Sequence, residues 1–132
     1  MLEDAAIIIF VRHPELGKVK TRLAAAIGNE KALAVYEFLL RHTYKLIENS
    51  PVRVYVYYAE HIINGDLWKG TNVHKKLQQG KDLGEKMANA FQEVLKEGYN
   101  KAVIIGSDCY DLTVELIAQA FEILLLPFRA IP

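Results

Sequence analysis

Four cations fall within eleven residues of this sequence. Arg12, Lys18, Lys20 and Arg22 occupy the stretch RHPELGKVKTR, with Glu15 as its one acid. The whole chain of 132 residues holds 16 Lys+Arg against 16 Asp+Glu, so this density is local. Guanidinium and ammonium groups, joined by the backbone N–H groups of a loop, are the donors that bind phosphate. Gly17 permits close backbone approach and Pro14 stiffens the segment ahead of it. A merely solvated charged loop would show the same composition. The spacing is not that of a Walker A loop, because the position five before Gly17 is Arg12, and the chain holds no G-x-G-x-x-G.

A second stretch, GSDCYDLT, begins at Gly106. Asp108 stands just past an apolar run, where a carboxylate facing a basic loop suits Mg²⁺ bridged to a phosphate. A turn role for Asp108 is equally consistent. Asp111 fits a helix cap or turn better than a second ligand. Cys109 reads as a small buried residue, with no base beside it to make it a nucleophile. A third stretch, QQGKDLGEKM, spans Gln78–Met87. Asp82 is placed to cap a helix, and the turn that holds Gly80, Leu83 and Gly84 would admit a base or ribose to the backbone. His13, His42, His61 and His74 share no i, i+4 spacing, which argues against zinc. Trp68, in a loop, is either a core plug or a lid.

These residues need elements to hold them. Ala5–Val11 (AAIIIFV) is continuous, apolar and β-branched, as in a parallel strand buried on both faces. Arg12–Leu23 should be loop. A helix runs from Gly28-Asn29 to about Asn49, with Leu33, Tyr36, Leu40 and Ile47 on its apolar face. Strands follow at Val52–Tyr58 and Val73–Gln79, separated by a loop with one helical turn near Asp66–Lys69. Leu83–Glu97 is helical, Ala102–Ile105 a strand, and a last helix runs from Thr113 to about Leu125. The order β-α-β-β-α-β-α predicts a mostly parallel sheet covered on both sides, a Rossmann-like three-layer α/β sandwich. Ligands of such sheets sit beyond the carboxyl ends of the strands, so the Arg12–Arg22 and Gly106–Asp111 loops should share one edge.

The remaining composition narrows the classes. Residues 1–132 have room for one domain, and 52% hydrophobic residues argue against a disordered chain. Zero net charge leaves no global field for a nucleic acid polymer or an anionic membrane. The longest apolar run is Ala5–Val11, far short of the ~20 residues of a membrane span. Glu3 and Asp4 stand where a signal peptide carries positive charge. The single cysteine forms no internal disulfide, and the expected compartment is the cytoplasm.

IFVRHPELGKVKTRL, QQGKDLGEKMANAF and VIIGSDCYDLT, in that order, resemble the motifs of a family of bacterial GT-A-like transferases. Its members are often labelled glycosyltransferase or selenodomain-associated transferase, and it is related to phospholactate guanylyltransferase. The resemblance runs from Ile7 to about Leu125. It implies a nucleotide-diphospho-sugar transferase fold and a nucleoside triphosphate or nucleotide sugar as ligand. It also implies that Lys18, Lys20 and Arg22 meet the phosphates, with Lys20 and Arg22 acting in catalysis. Arg12, Gly17 and Thr21 would belong to the same nucleotide site, Asp82, Leu83 and Gly84 would line its nucleoside side, and Asp108 would hold Mg²⁺. Tyr110 replaces the family's Pro. No D-G-G-Y-like motif follows, so a fold incomplete at the C-terminus is expected. The alternative is a non-catalytic α/β interaction module, or a truncated product without the acceptor half. Leu124, Leu125, Leu126, Phe128 and Ile131 form an apolar tail whose burial would favour a homo-oligomer.

Overall fold

The computed structural model describes residues 4–48, 50–70, 72–106, 119 and 120. Their elements are β1 (Ala5–Val11), α1 (Thr21–Ile27), α2 (Asn29–Ile47), β2 (Arg53–Tyr58), β3 (Val73–Leu77), α3 (Leu83–Lys96) and β4 (Lys101–Gly106). The strands form one sheet in the order β3-β2-β1-β4, and every neighbouring pair is parallel.

Alternation along the strands divides the core into two layers. Ile7, Ile9 and Val11 of β1, with Val54 and Val56 of β2, pack against Tyr36, Leu40 and Ile47 of α2. Ala6 and Ile8, with Tyr55 and Tyr57, meet Ala90 and Val94 of α3 on the opposite face. β1 is therefore apolar at every position because neither of its faces meets water. The prediction of a parallel sheet with both faces covered holds.

Two sequence expectations fail. The segment expected to be loop through Leu23 turns helical at Thr21. Thr-Arg-Leu-Ala-Ala-Ala-Ile has three alanines, the best helix formers, yet none of its residues is buried, so no apolar stripe announces it. The expected helical turn at Asp66–Lys69 does not form. Instead the Asp66 carboxylate gathers the segment around itself. It accepts the Lys75 ammonium at 2.8 Å, the Trp68 backbone N–H at 3.2 Å and the Tyr58 hydroxyl. A largely buried charge pair is stable when its remaining lone pairs and protons are satisfied, and Lys75 Nζ also donates to the Ile63 carbonyl at 2.6 Å. Trp68 is thereby a core plug, 2% exposed and edge-on to Tyr44 at 5.9 Å. Of the last expected helix only residues 119 and 120 are described, and both are helical, while Cys109, Asp111 and the apolar tail with its oligomer lie outside the described residues. Among the described residues no helix is long and apolar enough to cross a membrane.

On the α3 face the tyrosine hydroxyls of β2 donate to carboxylates, Tyr57 to Glu93 at 2.8 Å and Tyr55 to Glu97 at 2.6 Å. Burial, and then these carboxylates, push both phenols far above their ordinary value of 10.0, so they remain donors. Glu97 also pairs with Lys76 of β3. The Lys76 ammonium, helped by Tyr55, holds the Glu97 carboxyl below its ordinary value of 4.5. A carboxyl depressed on folding stabilises the native state above its unfolded pKa and loses that contribution as the pH falls through the folded value. Glu97→Gln should therefore melt below the wild type at pH 7, and the gap should close as the pH drops below the ordinary 4.5. A melting-temperature gap constant from pH 7 to pH ~3 would show that the Glu97 charge contributes nothing.

Candidate functional site

Parallel register brings all four strands to an end on one side of the sheet. Phe10 of β1 stands opposite Tyr57 of β2 and Gly106 of β4, and Tyr58 stands opposite Leu77 of β3. A cleft of about 640 Å³ opens there. Its floor comes from Phe10 and Val11, Ala59 after β2, Gln78 after β3, and Gly106 at the end of β4.

The basic loop forms the wall. After β1 the chain turns back, with the Lys18 N–H donating to the Glu15 carbonyl at 3.1 Å. Gly17 takes φ 81°, in the left-handed region that favours glycine. Val19, 4% exposed, sinks into the α2-side core. Its burial leaves the flanking Lys18 and Lys20 on the cleft side, and both line the cavity with Arg12 and Thr21. Lys20 itself holds φ 49° and ψ 47° at the start of α1, the one non-glycine with positive φ among the described residues. Such a conformation costs an L-residue roughly 1–2 kcal/mol and clusters where side chains are placed for function.

The root of the loop is clamped by Tyr36 of α2. Its hydroxyl accepts the Arg12 N–H at 3.0 Å and donates to the Arg12 carbonyl at 3.1 Å. Tyr36 read as one more position of an apolar helix face, and nothing in its spacing marked the hydroxyl. The guanidinium of Arg12 lies 3.7 Å from Glu60, and the ammonium of Lys18 lies 3.5 Å from Glu15. Both pairs are exposed and therefore weak, so a phosphate can displace them.

Leu83, 63% exposed in the first turn of α3, closes the far side of the cleft. Asp82 is not among the lining residues. Its carboxylate accepts the Glu85 N–H at 2.8 Å, while the Glu85 side chain accepts the Lys81 N–H at 3.1 Å. That is the helix-capping role its position suggested. Gly80 is required by packing: at φ 145° its added Cβ would lie 2.8 Å from the Lys86 backbone nitrogen. Gly17, Gly84 and Arg22 do not line the cleft either, Arg22 being exposed on α1. Arg12, Lys18, Lys20, Thr21 and Leu83 are thus brought together. Asp108 lies outside the described residues, two positions beyond Gly106. Among the described residues the cleft lining holds three cations and no carboxylate, and no three His, Cys, Asp or Glu side chains could hold a metal ion.

The sequence profile of a family described as "Uncharacterized protein conserved in bacteria (DUF2064)" matches residues 42–126. The chain belongs to this DUF2064 family. Its fold also superposes on a crystal structure from Desulfovibrio desulfuricans G20, described as a putative nucleotide-diphospho-sugar transferase, with a TM-score of 0.80 and 32% identity. The match covers 90% of this chain and 53% of that one, so the chain spans about half that protein's length. No curated protein matches. The α/β architecture of this DUF2064 chain is therefore that of a nucleotide-diphospho-sugar transferase structure, as the motifs implied.

The Tyr36 clamp can be tested directly. Tyr36→Phe keeps the ring and leaves both Arg12 backbone groups without their partner, a loss of about 1–3 kcal/mol in urea unfolding. An unchanged unfolding midpoint would show that the clamp does not hold the loop root.

Proposed function

We propose that this chain forms the donor-binding part of a transferase that uses a nucleoside phosphate, either a nucleoside triphosphate or a nucleotide sugar. The observation that carries this reading is the cleft at the carboxyl edge of the sheet, where Arg12, Lys18 and Lys20 converge on one wall of a protein with no net charge. Cations concentrated in a concave, partly desolvated site attract a polyanion far more strongly than the same charges spread over a surface. The Thr21 hydroxyl adds a donor, and Leu83 offers apolar surface on the nucleoside side, with Asp82 and Gly84 shaping the turn that carries it. Lys20, on the cleft wall, would offset charge that develops on the donor phosphates during transfer, a role that Arg22, outside the cleft lining, does not share.

Magnesium belongs to the same proposal. The described cleft has cations but no carboxylate, so the ligand would come from Asp108. β4 delivers the chain into the cleft at Gly106, and one or two protein carboxylates are the usual protein share of a Mg²⁺ shell. Bound there, the ion would neutralise phosphate charge and orient the donor. Transfer to an acceptor, by nucleotidyl or glycosyl chemistry, is proposed for the longer architecture that the Desulfovibrio protein exemplifies. The single cysteine suits a cytoplasmic enzyme.

Isothermal titration with GTP, CTP and UDP-sugars, with and without Mg²⁺, should show binding that Mg²⁺ strengthens. No heat at millimolar ligand would reject donor binding and favour a non-catalytic interaction module. Asp108→Asn should remove the Mg²⁺ dependence while leaving the melting temperature nearly unchanged. Equal Mg²⁺-dependent binding by the variant would reject the ligand role of Asp108.

A further inference from the structure

Gln78 follows β3, two strands away from β1, yet its side chain reaches the β1–β2 seam. Its Nε2 donates to the Tyr57 carbonyl at 2.9 Å and to the Val11 carbonyl at 3.3 Å. Its backbone N–H donates to the Tyr58 carbonyl at 2.9 Å. One residue thus joins the ends of three strands at the floor of the cleft.

Both amide hydrogens are consumed by these carbonyls. Turning the amide over would set its oxygen against two carbonyl oxygens at the same distances, exchanging two hydrogen bonds for two repulsions. The orientation is therefore locked. Oε1 has no donor among the described residues, and no side-chain oxygen or nitrogen among them is both buried and unpartnered, so Oε1 keeps access to solvent. Gln78 lines the same cleft as Arg12, Lys18, Lys20 and Thr21. Those cations can only donate hydrogen bonds. A fixed acceptor beside them cannot serve an ionised phosphate, which has nothing to donate. It serves the part of the ligand that carries N–H or O–H.

We propose that Gln78 is a specificity residue of the cleft, its Oε1 accepting a hydrogen bond from the nucleoside and so separating a nucleotide from a bare polyphosphate. This rests on the nucleotide reading given above. The donor is an N–H of the base or a hydroxyl of the ribose.

The test compares the affinity for GTP with that for tripolyphosphate, which has phosphates and no nucleoside. Gln78→Lys retains donors for both strand carbonyls and has no acceptor. Gln78→Met removes both functions. In the Lys variant the melting temperature should hold while the ratio of GTP to tripolyphosphate affinity falls about tenfold, the size of one uncharged hydrogen bond whose partner is left desolvated. The Met variant should lose the same ratio and also melt lower. 2′,3′-Dideoxy-GTP locates the donor: an equal loss places it on the base, and a loss that vanishes places it on the ribose. An unchanged ratio in both variants would overturn the acceptor role and leave Gln78 as a strand tie. Wild-type protein that binds tripolyphosphate as tightly as GTP would also overturn it, with the phosphate wall intact. Wild-type protein that binds neither would reject the nucleotide reading itself, and this role with it.

Discussion

β1 is hydrogen-bonded on both edges and covered on both faces, and the position of every other part follows from that enclosure. Each large aliphatic side chain buried this way contributes about 1.5–3 kcal/mol, and Ile7, Ile8 and Ile9 are all at most 2% exposed. A strand with two apolar faces is poorly specified in register by alternation alone. Polar groups at its two ends supply what the apolar run lacks. At the start, the Asp4 carbonyl accepts the N–H groups of Asn100 at 2.8 Å and Lys101 at 3.1 Å, and the Asp4 carboxylate meets the Lys101 ammonium at 3.3 Å. At the finish, Tyr36 holds Arg12 and Gln78 holds the Val11 carbonyl. Fixed at both ends, β1 aligns its neighbours so that their termini open into one cleft.

The tyrosines of β2 show how polar groups are accommodated in this core. Tyr55, Tyr57 and Tyr58 are almost fully buried in VRVYVYY, and each hydroxyl ends on a carboxylate, from Glu97, Glu93 and Asp66 respectively. Successive residues face opposite ways, so these contacts fasten α3 on one side and the Ala59–Gly70 segment on the other. Neither fastening reaches into the cleft. The cations of the cleft wall are therefore set by the loop itself, through buried Val19 and left-handed Lys20, rather than by the carboxylates elsewhere in the sheet.

The likeness to a transferase structure covers nearly all of this chain and about half of the other. What the two share is thus the sheet whose carboxyl edge forms the cleft. Fold and site are separable in such sheets, because one architecture carries many chemistries through its loops. The reading of donor binding therefore depends on the side chains of the Arg12–Thr21 loop and on Leu83 and Gln78, more than on the superposition.

Periodicity and β-branching in AAIIIFV and VRVYVYY, with the caps and glycines around Asp82, determined the strands, α2, α3 and their order. They also determined the α/β class, because short-range preferences act along the chain. The density of cations in RHPELGKVKTR was likewise legible, as was the likeness carried by its motif. α1 was not legible, since an exposed helix carries no apolar stripe. The separate fates of Lys20 and Arg22, which flank Thr21 on either side yet with only one of them in the cleft, were not legible either. Nor were the Asp66 hub, the Tyr36 clamp and the reach of Gln78 across three strands. The clamp and the Gln78 contacts join residues distant in sequence, and the hub joins side chains from two neighbouring strands. All are set by which strand lies beside which, and a hydroxyl or an amide has no sequence signal for its partner until the sheet brings the two within 3 Å or so.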